Sequence, residues 1–293
     1  MERYMIISMK KFASFAGATL LAALVAGCST CASCPCENAP KISVFSSTIE
    51  NIAKYHGVSY AQAADMLRAA GVDGFDCAYN SSKLADYAAT SLKPANLYGF
   101  MKFYTEDGGR KQCDEFVATA VKYGVSRIMC VPSNFTDGRE NEAEFLKNLE
   151  GVKYLVAQGR KYGVAVTIED YGGDDNPCSW IKYLKRFMNE IPELRYALDS
   201  GNLVHAGRGE DILEMMRFSE GRIEHVHLKD FKHGGNRARE TVGLGNVPNA
   251  EIVRTMNAKG YDGWYTLEDL IGENRYEDVV RQAAVVRYWC SGK

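Results

Sequence analysis

No G-x-G-x-x-G follows a strand-like stretch in the 293 residues, and there is no P-loop, so a dinucleotide fold or a glycine-lined phosphate cradle lacks its usual sequence support. Charge points to no macromolecular partner. The 35 Lys and Arg balance 37 Asp and Glu, the signs are interspersed, and neither a basic stripe for nucleic acid nor a charged tail for a protein partner is present. Histidine is scarce, with only His56, His205, His225, His227 and His233, too few for a histidine-rich multi-metal site. The nine cysteines never form the paired CxxC…CxxC of a zinc site. The strongly apolar run from Phe12 to Ala26 falls short of the roughly 20 residues that span a bilayer.

That run instead reads as an export signal. Arg3, Lys10 and Lys11 precede it, and it ends in Val25-Ala26-Gly27-Cys28, which resembles the lipobox of bacterial lipoproteins. The expectation is a signal peptide over 1–27, lipidation of Cys28 and a cysteine-rich tether over 28–40. A catalytic domain over 41–293 would follow, held to a membrane of the periplasm or cell envelope by the lipid. Cys31, Cys34 and Cys36 fall in the tether as linker thiols or disulfides of an oxidising compartment. Cys77 and Cys130 fall in expected strands, where a buried inert thiol is the default. Cleavage would remove Glu2, Arg3, Lys10 and Lys11, leaving 32 basic and 36 acidic side chains on 266 residues, a mildly acidic chain of the length of one barrel.

From residue 41 onward apolar strands alternate with helical segments. Lys41–Ser46 alternates as a first strand should, and Ser59 with Gln62 forms a capping box that opens a helix ending at Gly71. The stretch 71–76 (GVDGFD) recurs as 260–265 (GYDGWY), and 122–125 (KYGV) recurs as 161–164, each a glycine helix stop running into an apolar strand. Further strands are expected near 96–103, 126–131, 164–169, 195–199, 223–228 and 264–268. Helices are expected over 141–162, through Phe145, Leu149, Val152 and Val156, and over 275–289, through Tyr276, Val279, Val280 and Ala283. Eight strands alternating with helices predict an α/β fold, a single closed (β/α)8 TIM barrel.

Four of these strands end in metal-capable side chains: Glu169 in 166–172 (VTIEDYG), Asp199 in 196–202 (YALDSGN), His227 in 225–230 (HVHLKD) and Glu268 in 260–269 (GYDGWYTLED). One such residue alone reads as a helix cap or a solvated carboxylate. In a closed parallel barrel, however, all strand C-termini open on one face, so four can converge. Three carboxylates and one imidazole suit one divalent ion, Mn, Mg, Co or Zn. Strand alternation puts His225 and His227 on one side with Lys229 at the mouth, and aligns Trp264, Thr266 and Glu268. For Lys229 the bland alternative is a rim ion pair with Asp230.

These motifs in this order resemble the xylose isomerase-like TIM barrels, the sugar phosphate isomerase/epimerase family, along the whole chain from about residue 41. In members similar to ketose 3-epimerases the residues matching Glu169, Asp199, His227 and Glu268 bind one divalent metal, and the two glutamates move protons. The resemblance departs after strand six, where a substrate-binding histidine is replaced by Asn202 with His205 a turn later. It departs again after strand seven, where His233 stands for an arginine and Arg237 or Arg239 of the 231–248 loop take its place. The implied function is isomerisation or epimerisation of a small-molecule sugar by proton abstraction next to a carbonyl, with the metal stabilising the enediolate, Glu169 and Glu268 as acid and base and Lys229 assisting. If a leaving group lies β to the carbanion, the same chemistry gives a keto-sugar (3-keto-glycoside) lyase or hydratase. An endonuclease-IV-like phosphodiesterase shares the barrel but needs more histidines, and a non-catalytic sugar-binding lipoprotein would keep the ligands without turnover. Export implies an unphosphorylated sugar or keto-sugar, since sugar phosphates are largely cytoplasmic.

Overall fold

The computed structural model describes residues 39–234 and 238–292. The expected signal peptide, Cys28, nearly all of the tether, and Arg237 lie outside the described residues. Eight strands, β1 (Lys41–Phe45), β2 (Gly74–Ala78), β3 (Lys93–Phe100), β4 (Arg127–Val131), β5 (Ala165–Glu169), β6 (Arg195–Asp199), β7 (Ile223–Leu228) and β8 (Trp264–Leu267), close into one barrel in sequence order. Every neighbouring pair is parallel, including β1 with β8. The helices that cover it are α1 (Ser46–His56), α2 (Tyr60–Ala69), α3 (Leu84–Ala88), α4 (Arg110–Lys122), α5 (Glu142–Lys161), α6 (Ile181–Glu190), α7 (Asn202–His205), α8 (Asp211–Phe218), α9 (Asn249–Ala258) and α10 (Arg275–Cys290).

Local chemistry accounts for the repeated unit. The Ser59 hydroxyl accepts from the Gln62 N–H while Gln62 Oε1 accepts from the Ser59 N–H, so both ends of the capping box close and α2 starts where the sequence puts it. Gly124 and Gly163, with φ of 66° and 68°, turn the chain from α4 and α5 into the next strand, in a region where a Cβ is penalised. Helix α5 buries Phe145, Leu149, Val152 and Val156 as expected, and the Phe145 ring meets Tyr183 and Phe187 of α6 at 4.7 and 4.9 Å. In α10 Val279 and Ala283 are buried but Val280 is exposed, because the one-residue step from 279 rotates it about 100° off the core face.

One strand is displaced from its expected span. β3 runs Lys93–Phe100 rather than near 96–103, and a register shift marks its pairing with β2 between Phe75 and Asp76. Met101 and Phe103 are buried, yet outside any strand. The Phe103 ring lies where a Cβ on Gly151 of α5 would fall, so the apolar signal there belongs to loop packing.

Alternation sorts the strands into an apolar outer face under the helices, aliphatic and aromatic, and an interior that is polar in its middle layer. Ser43, Asp76, Asn96, His225 and Thr266 are all fully buried there and joined by hydrogen bonds of 2.6–3.0 Å. The candidate site stands on this layer.

Candidate metal centre

The last residue of β5, the last of β6, the penultimate residue of β7 and the residue following β8 are Glu169, Asp199, His227 and Glu268. Asp199 pairs with His227 across the β6/β7 ladder, so these two side chains leave the barrel wall at one level. Each of the four residues offers a ligand atom, and those atoms all lie within 4.8 Å of one another. His227 Nδ1 is the common neighbour, 2.6 Å from Glu169 Oε1, 3.3 Å from Glu268 Oε2 and 3.8 Å from Asp199 Oδ2.

The two oxygens of Asp199 are divided. Oδ1 accepts from the backbone N–H groups of Gly201 and Asn202 at 2.8 Å each, which fixes the carboxylate plane and turns Oδ2 into the cluster. Oδ2 of Asp199 and Oε2 of Glu268 are buried and receive no hydrogen bond, although Lys229 Nζ lies 3.0 Å from the former as an ion-pair partner. Buried anionic oxygens without a donor are costly unless a cation serves them. With an imidazole nitrogen and three carboxylates converging, the donor set fits a divalent ion.

Lys229 spans the cluster, with Nζ 3.0 Å from Asp199 Oδ2, 3.0 Å from Glu268 Oε1 and 3.0 Å from Asn202 Oδ1. Burial opposes the charge on Lys229, but Asp199, Glu268 and Glu169 outweigh it and hold the ammonium well above the ordinary lysine range. Burial pushes the Glu268 carboxyl up to about 7, against the lowering pull of Lys229. Burial likewise works against a charged His227, and Glu169 together with Asp76 raises it nonetheless.

The rim pairing of Lys229 with Asp230 is not found. Asp230 is itself buried and accepts from the backbone N–H groups of Phe231, Gly243, Gly245 and Val247 at 2.9–3.1 Å, cinching the base of the 231–248 loop. A Cβ at Gly245 would collide with Asp230 Oδ1 and the Phe231 carbonyl, so the loop closes only over glycine. Asp230→Ala should therefore lower unfolding free energy by about 2 kcal/mol, read by urea denaturation.

Of the expected substrate-binding residues, Asn202 is engaged on both side-chain atoms, donating from Nδ2 to the Asp170 carbonyl at 2.7 Å and accepting from Lys229 through Oδ1. His205 closes α7 and its ring packs 5.5 Å from Phe231. Arg239 is anchored by Asp269 at 3.0 Å, next to Glu268 in sequence, and Asp269 is the non-glycine residue with positive φ among the described residues.

Sequence reasoning assigned no role to Asp76 or Asp170. Asp170 Oδ1 accepts from the Tyr196 hydroxyl and the Asp199 N–H, at 2.7 and 2.8 Å, behind the Asp199 ligand. Asp76 lies under His227, and the signal available was a carboxylate inside the apolar strand Gly74–Ala78. The opposite side of the mouth is aromatic. Phe45, Tyr98, Phe100 and Tyr171 follow one another at centroid separations of 5.5, 6.2 and 5.5 Å, and Phe45 meets the His227 ring at 5.3 Å.

A family model described as xylose isomerase-like TIM barrel matches residues 64–286. The chain belongs to the xylose isomerase-like TIM barrel family. The chain is similar to the inosose dehydratase of Geobacillus thermodenitrificans, 29% identical over 128 residues, which are 36% of this chain and 42% of that protein. The match thus spans less than half the length of that curated relative. Among solved structures, the probable 3-DHS dehydratase AsbF of Bacillus anthracis superposes with a TM-score of 0.68 at 13% identity, covering 84% of this chain and 98% of that one. The IolI protein with a bound zinc atom superposes with a TM-score of 0.66 at 15% identity, covering 86% and 98%. At these identities the superpositions establish the fold.

Proposed function

We propose that this protein is a metal-dependent enzyme that removes a proton next to the ketone of an unphosphorylated ring keto-sugar and then eliminates the β substituent. The observation that carries the reading is the placement of Lys229 Nζ, 3.0 Å from both Asp199 and Glu268, which sets an ammonium acid inside the carboxylate cluster that also holds Glu169, the base of the reaction. A divalent ion held by Glu169, Asp199, His227 and Glu268 would polarise the ketone and stabilise the negative charge that develops beside it.

Glu169 takes the proton from carbon, and the C–H electron pair passes into the carbon skeleton. Collapse of that charge breaks the β C–O bond, and the leaving oxygen takes a proton from Lys229, giving an enone and water or a free alcohol. The aromatic arc of Phe45, Tyr98, Phe100 and Tyr171 offers apolar faces to the C–H face of a ring, which favours a cyclic substrate. The partial match to an inosose dehydratase supports elimination over the epimerisation expected from the sequence motifs.

Epimerisation is the second reading, supported by two glutamates at one imidazole: Glu169 removes the proton and Glu268 returns one to the other face. Residues 1–27 as an export signal and Cys28 as a lipid anchor support an unphosphorylated substrate in the periplasm or cell envelope. The test is product analysis by NMR with metal-loaded protein, 3-keto-glycosides and ketoses, each free and phosphorylated. An enone with release of the aglycone, at higher kcat/KM for the free sugar, is the expected result. A C3 epimer without elimination selects the second reading, a preference for the phosphorylated sugar overturns the substrate class, and saturable binding without turnover would leave a sugar-binding lipoprotein.

A further inference from the structure

We infer that Asp76 is the positioning residue that decides which nitrogen of His227 faces the metal, an inference that rests on the metal reading of the centre. Asp76 belongs to β2, 151 residues from His227 in sequence, and it is fully buried. Its Oδ1 accepts from the Ser43 and Thr266 hydroxyls at 3.0 and 3.2 Å. Its Oδ2 accepts from Asn96 Nδ2 at 3.0 Å and lies 2.9 Å from His225 Nε2 and 3.3 Å from His227 Nε2.

A carboxylate gripped from β1, β3, β7 and β8 has no freedom to turn, so Oδ2 is a fixed acceptor below the His227 ring. That ring is further confined by Phe45 at 5.3 Å and by His225 at 5.0 Å and 88°. With the Nε2 proton committed to Asp76, the lone pair of a neutral His227 is on Nδ1, the atom that faces Glu169, Glu268 and Asp199. Turning the ring over would present carbon to both Asp76 and the ligands. Such a carboxylate behind a ligating imidazole fixes tautomer and orientation, and its loss generally weakens metal affinity by about 10–100-fold.

Two measurements test this without recourse to turnover. In calorimetric titrations with Zn²⁺, Asp76→Asn should raise Kd by about 10–100-fold. Ser43→Ala, which removes a bond to Oδ1 and leaves Oδ2 in place, should stay within about threefold of wild type, since it does not touch the His227 contact. A merely structural role in the polar layer predicts similar losses for both. The second measurement uses wild-type protein loaded with a spin-active cadmium isotope and labelled at its histidine nitrogens, so it survives any folding failure of the variant. Scalar coupling to cadmium should appear at His227 Nδ1, with a protonated Nε2 whose hydrogen-bonded proton resonates far downfield. Coupling at Nε2, or Zn²⁺ binding by Asp76→Asn within about threefold of wild type, would overturn the inference while leaving the metal reading intact. Failure of the wild-type protein to bind either ion would overturn both.

Discussion

Glu169→Gln should reduce kcat by about 10²–10⁴-fold at saturating metal, the largest activity loss expected from one substitution. The change is nearly isosteric, so the 2.6 Å contact to His227 Nδ1 can be replaced by an amide contact and the barrel interior is not opened. An amide cannot accept a proton from carbon, however, and that step has no substitute base on the same side. Metal affinity should also weaken, because one of three anionic donors becomes neutral, and for that reason the comparison is made with excess ion. Steady-state kinetics, with bound metal verified by elemental analysis, separates the two effects. Retention of a tenth or more of wild-type kcat would remove Glu169 from the proton-transfer role.

Lys229→Met should have the largest effect on stability. In the metal-free protein the ammonium is the counter-charge to Asp199 and Glu268, both at 3.0 Å, with Asp199 buried alongside it and Glu268 half-buried. Removing one partner of a buried ion pair generally costs about 3–5 kcal/mol, since the other is left uncompensated. Saturating divalent ion should narrow that gap, because it supplies charge to the same oxygens and binds only the folded state. Chemical denaturation of both proteins, with and without metal, reads the difference directly. The same variant separates the two chemical steps. Product formation should fall by about 10²-fold or more, whereas proton exchange at carbon should be much less affected, because Lys229 serves the leaving oxygen. Equal loss of exchange and product would move Lys229 into the first step.

The barrel and its four strand-end residues were legible in the sequence because strand alternation and the residue types that end the strands coincide there. Strand alternation carries apolar residues to the helices, and β5 and β6 each close on a carboxylate, Glu169 and Asp199, that strand propensity alone disfavours. The repeated glycine junctions at Gly124 and Gly163 fixed where strands begin. β3 was harder because Met101 and Phe103 are buried from the loop that follows the strand, Phe103 against Gly151 of α5, and sequence alternation does not distinguish that from a strand. Asp76 was invisible as part of the site because its partners Asn96, His225, His227 and Thr266 lie between 20 and 190 residues away. For Lys229 the bland alternative of a rim pair with Asp230 falls away, because Asp230 faces backbone N–H groups of the 231–248 loop and the partners of Lys229 come from β6 and the residue after β8.

The central claim is that this strand-end cluster, with a divalent ion, makes a carbon-bound proton next to a ketone exchangeable. Its most direct test is solvent deuterium incorporation, followed by NMR in D₂O with a 3-keto-glycoside or ketose and protein loaded with Mn²⁺, Mg²⁺, Co²⁺ or Zn²⁺. The account predicts deuterium at the carbon next to the ketone, in recovered substrate or in an epimer, with protein and metal, and its loss on chelation or in Glu169→Gln. Absence of deuterium at that carbon in substrate recovered from Lys229→Met, where the leaving step is slowed, or exchange that persists after exhaustive chelation with no metal detected, would contradict it.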